Sequence, residues 1–205
     1  MTVLLWTLGG FLVGSIPFAL ILGKLLFKID IRNWGDGNPG ATNLWKARGF
    51  GWGVFAFLFD FFKGAFPAWF CFYSLHITDW GIVPICLAPI AGHAFSPFLH
   101  FNGGKALATT YGVWTGLTIW EAPLLIIVSV YFFSIFQKVH SWIQMLVMSS
   151  LLVYILIRFQ NQPFLYPFLA IWLGNLIIVI AKHFAELKCW PQWQPWILKL
   201  WKKNP

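Results

Sequence analysis

The sequence is poor in charge and in cysteine. Charged side chains make up 10% of its 205 residues, whereas they make up about a quarter of an ordinary soluble domain. A chain with so few charges cannot expose most of its surface to water, which excludes a water-soluble globular protein. The three cysteines, Cys71, Cys86 and Cys189, lack the paired spacing of a disulfide framework or a zinc site. The cysteines are therefore assigned no chemistry. We expect no metal and no cofactor.

Apolar residues dominate what is present, at 59% of the chain. They surround the predicted helices on every face, which is typical of segments solvated by lipid. Because a bilayer span needs roughly 20 apolar residues, the chain predicts an all-α, polytopic membrane protein with about seven transmembrane helices and a single domain over 1–205. The predicted spans lie near 3–27, 53–75, 81–98, 105–119, 122–137, 142–158 and 164–181.

The net charge of +8 has a membrane explanation. The basic residues are scattered over loops and form no stripe, so no nucleic acid partner is expected. With seven spans these loops share one side, which the positive-inside rule assigns to the cytoplasm, with the N-terminus outside and the C-terminus cytoplasmic. Arg158 is the exception. The tail, with Trp196 and Trp201 on one face and lysines on the other, predicts an interfacial amphipathic segment.

The densest polar cluster follows the first predicted span, and Lys46 lies three residues beyond it. Its glycines allow successive N–H groups to converge on one anion, and a helix opening near Asn43 would add its dipole. The alternative is a plain Gly/Pro/Asn turn. The candidate anion-binding residues of this loop are Gly35, Asp36, Gly37, Asn38, Gly40, Ala41, Thr42 and Asn43.

A second polar cluster contains His93 and ends in Gly103-Gly104-Lys105. The two glycines form a close-approach turn, and Lys105 then stands on the same side as the first cluster. Such a lysine either snorkels to the interface or makes a second anion contact, which the glycines favour. His93 and His100 alone are too few ligands for a metal site.

A third cluster lies at the end of the last span, where His183 and Glu186 share a helical face. The alternative is a polar helix end that merely meets water. Asp60 and Lys63 are also three residues apart, but they lie at mid-membrane depth in the second span. Ionisable residues there are costly and normally paired, which favours a helix-locking ion pair over direct catalysis.

These clusters, in this order, resemble the acyl-phosphate:glycerol-3-phosphate acyltransferase family over about residues 10–110. The resemblance implies a seven-helix enzyme of the cell inner membrane whose active site faces the cytoplasm. It would transfer a fatty acyl group from acyl phosphate to the 1-position of glycerol 3-phosphate, giving lysophosphatidic acid and phosphate. The matching segments are Gly14-Ser-Ile-Pro17, Asp30-Ile-Arg32, the Gly35 to Asn43 loop, Asp60-x-x-Lys63-Gly64, and Gly92-His93 through Gly103-Gly104-Lys105.

The resemblance also implies roles for individual residues. The glycine-rich loop would cradle phosphate, and Lys46, Lys105 and His183 would act in catalysis by holding the acceptor's phosphate. The further substrate-binding candidates are His93, Gly103, Gly104 and Glu186. The expected partners are the two substrates and membrane lipid. An acyl phosphate is already activated, so no nucleophilic Ser or Cys is required.

Three positions depart from the family pattern. Asp36 stands where the family usually has Ser, Lys46 where it has Arg, and Glu186 where it has Asn. Two of the changes add a carboxylate near a phosphate site, and the third loses the bidentate fork that Arg offers phosphate.

These departures keep two alternatives open. One is an acyl-phosphate transferase with a less anionic acceptor. The other is a non-catalytic lipid-binding or transport membrane protein, although its polar residues would then gather at mid-membrane depth. A coenzyme A-dependent acyltransferase is disfavoured because its His-x-x-x-x-Asp motif is absent.

Overall fold

The structure, a computed structural model, describes residues 1–197. Those residues are helical apart from loops and one isolated β-bridge between Gln137 and Trp193, which confirms the all-α class. The α-helices are α1 (Thr2–Ser15), α2 (Phe18–Phe27), α3 (Ala41–Arg48), α4 (Phe50–Trp69, followed by the π-helical turn Phe70–Ser74), α5 (Ile82–Ala94), α6 (Leu107–Thr118), α7 (Glu121–Phe136), α8 (His140–Arg158) and α9 (Leu165–Leu187).

The first predicted span, 3–27, is not one continuous helix. It breaks into α1 and α2, which are bent by 40°. Ile16 adopts an extended conformation, with φ −67° and ψ 119°. Pro17 explains the break, because proline disfavours helical geometry in the residue before it and lacks an N–H group for the helix ladder.

Four helical segments are long and apolar enough to cross a bilayer, and the bent α1–α2 pair would make a fifth. α6 has 12 residues and α7 has 16. At 1.5 Å per residue they are about 18 Å and about 24 Å long, short of the roughly 30 Å hydrocarbon core. The structure therefore supports a membrane protein with four or five candidate spans, and the count of seven stays a prediction. The four segments are Phe50–Ser74, Ile82–Leu99, His140–Arg158 and Leu165–Leu187.

Close helix contacts hold the bundle together. α4 packs along α6, and α1 packs along α5. A Cβ atom on Gly112 would come within 2.0 Å of the Phe61 carbonyl oxygen, so α6 needs glycine there to approach α4. Large apolar side chains such as Ile127 and Ile177 are exposed on the outside. Small residues between helices and large apolar ones outside are the arrangement that lipid favours.

The segment after α9 runs back along the junction of α7 and α8. The Lys138 N–H donates to the Gln192 carbonyl at 2.8 Å, and the Gln194 N–H donates to the Phe136 carbonyl at 2.8 Å. Trp142 Nε1 also donates to the Cys189 carbonyl at 2.9 Å. The amphipathic segment predicted in the tail extends beyond residue 197, and that part lies outside the described residues.

Candidate active site

Three polar segments meet at one end of the bundle, and Lys105 joins them. Its Nζ donates to Asp36 Oδ2 at 2.7 Å and also to Glu186 Oε1. The loop before α3, the turn before α6 and the end of α9 are therefore linked through one ammonium group. Lys182 Nζ adds a bond of 2.9 Å to the Gly103 carbonyl, which fixes the turn that carries Lys105.

The glycine-rich loop folds back on the start of α3. Gly35 and Gly37 have φ of +59° and +75°, a left-handed conformation that favours glycine. Asn43 Nδ2 donates to Asp36 Oδ1 at 3.0 Å and to the Asn38 carbonyl at 2.8 Å. Because the first N–H groups of a helix have no intrahelical acceptor, the start of α3 offers free donors beside the loop.

A cavity of about 670 Å³ opens between these segments. Lys46 and Lys105 both contribute to its wall, as the sequence predicts for two residues that bind one ligand. Within residues 1–197, Lys46 makes no ion pair. The predicted site residues that line the cavity are Asp36, Asn38, Gly40, Ala41, Thr42, Lys46, His93, Lys105 and Glu186.

Gly37 and Gly103 line a second, polar cavity of about 610 Å³ instead. Asp36, Asn38 and Lys105 belong to both cavities, so the Asp36–Lys105 pair stands in the wall between them. The second cavity also has basic side chains that the first lacks: Arg32, His100 and Lys182.

The four remaining predicted residues, Gly35, Asn43, Gly104 and His183, line neither cavity. A Cβ on Gly35 would come within 2.3 Å of Asn43 Oδ1, and one on Gly104 within 2.1 Å of His93 Nε2, so both glycines permit close packing. His183 is fully buried, with Nδ1 at 3.3 Å from Glu186 Oε2. The cavity is therefore lined by Glu186 and not by His183, and a direct contact between His183 and substrate stays a prediction.

Asp60 lines the cavity, although the sequence predicts it at mid-membrane depth and apart from the site. The predicted ion pair is present, with Asp60 Oδ1 at 2.8 Å from Lys63 Nζ. However, Asp60 also lies on the cavity wall, with Oδ1 at 3.5 Å from His93 Nδ1. The cavity therefore reaches the level of this pair, which the sequence treated as separate from the site.

Three further polar residues of the cavity were missed. Tyr111 Oη donates to Gln144 Oε1, and Gln144 Nε2 lies 3.3 Å from His140 Nε2. His140 and Gln144 are four residues apart at the start of α8, so they share a face. That spacing, next to the basic loop at Lys138, is the sequence signal that could have identified them.

Lys105 controls the electrostatics of the loop. Burial raises the pKa of the Asp36 carboxyl, but the hydrogen bonds and charge of Lys105, together with bonds from Asn38 and Asn43, outweigh it and bring that pKa down to about 2. Burial lowers the pKa of Lys105, but Asp36 and Glu186 outweigh it and leave that pKa raised. The Asp36–Lys105 pair is therefore ionised at neutral pH.

An apolar groove of about 220 Å³ leads away from the cavity between α3 and α4. Trp45 and Phe57 line both the groove and the cavity, and Phe50 and Val54 extend the groove along α4. The site therefore combines donors for anions with an apolar path.

Within the described residues, no group of three or more His, Cys, Asp or Glu side chains could hold a metal ion.

Known proteins are similar to this chain in sequence and in fold. A family model described as glycerol-3-phosphate acyltransferase matches residues 4–190. Glycerol-3-phosphate acyltransferase 1 of Thermotoga maritima is 39% identical over 191 residues, covering 87% of this chain and 92% of that protein. Glycerol-3-phosphate acyltransferase 2 of Bacillus anthracis is 36% identical over 182 residues, covering 87% and 90%.

Two crystal structures of PlsY (YgiH), an integral membrane glycerol 3-phosphate acyltransferase, are similar to this chain. The glycerol 3-phosphate form has a TM-score of 0.79 at 29% identity and covers 92% of this chain and 91% of that one. The lysophosphatidic acid form has the same TM-score at 28% identity, with the same coverage. The chain is therefore an integral membrane enzyme that belongs to the glycerol-3-phosphate acyltransferase family.

Proposed function

We propose that the protein transfers a fatty acyl group from acyl phosphate to the 1-hydroxyl of glycerol 3-phosphate, giving lysophosphatidic acid and phosphate. The observation that carries this proposal is the cavity in which Lys46, Lys105 and the glycine-rich loop share one wall. Each substrate carries a phosphate, and the two must meet against like-charge repulsion. Fixed cations and oriented N–H donors are what such a reaction needs.

The loop and the two lysines have complementary parts in binding phosphate. Ala41 and Thr42 open α3 on the cavity wall, so their N–H groups and the helix dipole favour an anion there. Lys46 and Lys105 both supply positive charge to this cavity. His93, Gly103, Gly104 and Asn43 shape the wall, and His183 acts on the site at least through Glu186, which it contacts.

The apolar groove is the proposed path of the acyl chain. Trp45 and Phe57 connect it to the cavity, and Val54 and Phe50 continue it along α4. This arrangement would leave the acyl carbonyl near the loop while the hydrocarbon runs towards lipid. An acyl phosphate has one charged end and one apolar end, and the cavity and the groove together would accommodate both.

The transfer requires no enzyme nucleophile. The acceptor oxygen forms a bond to the acyl carbon, the bond from that carbon to the phosphate oxygen breaks, and the hydroxyl proton leaves with the phosphate. Among the described cysteines, Cys71 and Cys86 are buried in the bundle and do not line the cavity. Donors aimed at the carbonyl and phosphate oxygens supply the stabilisation as charge develops.

We also propose the topology. The chain would form a single domain with about seven spans in the cell inner membrane, the N-terminus outside and the C-terminus and site in the cytoplasm. The basic residues Lys46, Lys105 and Lys182 all lie at the cavity end, which supports this orientation. The short helices α6 and α7 would then cross only with help from neighbouring helices, which cover the ends of their backbones.

The test is an acyl-transfer assay with purified protein, acyl phosphate and a panel of acceptors that includes glycerol 3-phosphate, glycerol and other polyols. The proposal expects lysophosphatidic acid to form only when glycerol 3-phosphate is present, with one phosphate released per acyl group transferred. Faster transfer to an uncharged polyol would establish the less anionic acceptor instead. No transfer to any acceptor would contradict the proposed reaction.

A further inference from the structure

The pairing of Lys105 with two carboxylates is the feature of the cavity that the family pattern does not explain. Asp36 and Glu186 stand where that pattern has Ser and Asn, and both bond the same ammonium group. A lysine ammonium has three N–H donors. Two of them are used by the chain's own carboxylates, so a phosphate that reaches Lys105 finds one donor free.

Both carboxylates are held in place from behind. Asp36 Oδ1 accepts from Asn43 Nδ2 at 3.0 Å and from the Asn38 N–H at 3.2 Å. Glu186 Oε2 accepts from Ser141 Oγ at 2.8 Å. Each carboxylate therefore uses one oxygen for the scaffold and points the other at Lys105, so both would stay at the site when a ligand arrives.

The two carboxylates on Lys105 oppose the binding of an anionic ligand. With both carboxylates ionised, Asp36, Glu186 and Lys105 together carry one net negative charge. Lys46 lines the same cavity and brings the formal charge of the four groups to zero. A phosphate dianion that binds Lys105 nevertheless lies beside two carboxylates that repel it, whereas an uncharged hydroxyl compound is not repelled.

We propose that Asp36 and Glu186 are specificity-determining residues that compete with the acceptor's phosphate for the ammonium group of Lys105. The inference rests on the proposed function, because it takes the acceptor to be a phosphate ester. A phosphate that takes more than the one free donor of Lys105 requires at least one carboxylate to give up its bond to that ammonium group. The site then binds phosphate more weakly than the glycine-rich loop and the two lysines would bind it without these carboxylates.

The experiment compares the wild type with Asp36→Ser, Glu186→Asn and the double variant. Two quantities are measured in detergent: the KM for glycerol 3-phosphate and, by calorimetry, the dissociation constant for inorganic phosphate. Competition predicts that the double variant lowers both by roughly tenfold or more, because a charge-assisted donor is freed and repulsion is removed. Asp79→Asn is the matched control, since Asp79 is an exposed carboxylate that caps a turn and does not line the cavity.

Unchanged or weaker phosphate binding by a double variant that unfolds at the wild-type temperature would overturn the inference, because the carboxylates would then only position Lys105. If the double variant does not fold, the isosteric single changes Asp36→Asn and Glu186→Gln decide, and each must tighten phosphate binding. The calorimetry is independent of turnover. A wild type that fails to acylate glycerol 3-phosphate therefore contradicts the proposed function, while phosphate binding still decides the competition.

Discussion

Lys63, paired with Asp60 inside α4, donates a hydrogen bond of 3.2 Å to the carbonyl oxygen of Ile16, where the first apolar segment breaks. The break between α1 and α2 takes this carbonyl out of the helix ladder, and it accepts instead from the Phe18 N–H at 3.1 Å and from the buried ammonium group. The sequence predicts that this ion pair holds helices together, and in the structure it connects α4 to the bend at Pro17. Asp60 at the same time lies on the wall of the cavity.

Lys63→Met should therefore destabilise the protein strongly. Removing Lys63 leaves the Asp60 carboxylate buried with only His93 beside it, and breaking a buried ion pair costs about 3–5 kcal/mol. The measurement is thermal unfolding in detergent, with Lys138→Met as a control at an exposed lysine. The double variant Lys63→Met with Asp60→Asn should recover part of the loss. A single variant as stable as the wild type would show that the pair does not hold the bend.

Lys105→Met should reduce acyl transfer at least tenfold, since a charge-assisted contact is worth about 1.5–3 kcal/mol. The variant also leaves Asp36 and Glu186 facing the substrate without their partner. The effect is measured by steady-state assays, once the variant is shown to unfold at the same temperature as the wild type. Lys188→Met provides the comparison. Activity close to that of the wild type would support a lysine that only extends to the membrane interface.

Val54→Trp should shorten the acyl chain that the enzyme accepts. The indole would fill the groove between α3 and α4, and excluding two methylenes costs about 1.6 kcal/mol, or roughly tenfold in kcat/KM for long donors. Donors of graded chain length measure this. Val13→Trp is the control, because Val13 lines a separate groove between α1 and α4 that shares none of its lining residues with the cavity. An equal loss for short and long donors would contradict the proposed acyl path.

The contribution of Asp36 to stability should vanish only in acid. Its folded pKa of about 2 lies below the ordinary 3.8, so the ionised carboxylate stabilises the folded protein above about pH 4, and this is lost as pH falls towards 2. The pKa of Lys105 is raised, so the pair also persists into alkaline solution. The difference in unfolding temperature between the wild type and Asp36→Asn should stay constant from about pH 5 to pH 9 and narrow below about pH 4. A difference that changes near neutrality would contradict this assignment.

Cys189 offers a native probe of the proposed topology. It is exposed just after α9, whereas Cys71 and Cys86 are buried. A thiol reagent that cannot cross membranes should label inside-out vesicles and leave intact cells unlabelled. Cys189→Ser should abolish the labelling. Labelling of intact cells would place this end of α9 outside and reverse the orientation.

The sequence alone was enough for the features that local pattern controls. Apolar runs predicted helices and a membrane location, because backbone groups in lipid must bond within their own segment. Gly35 and Gly37 predicted a turning loop, and both have positive φ. Even so, the pattern treated Pro17 as part of one span, since an apolar run does not show where a helix bends.

The tertiary structure alone decided which polar residues share the cavity. Asp60, Tyr111, His140 and Gln144 come from α4, α6 and α8, and no periodicity within one helix shows that these three helices face the same space. Lys105 is 69 residues from Asp36 and 81 from Glu186, and only the packing of the bundle brings both carboxylates to its ammonium group. Hydropathy and spacing act over a few turns of chain, whereas a contact between charges depends on how whole helices pack.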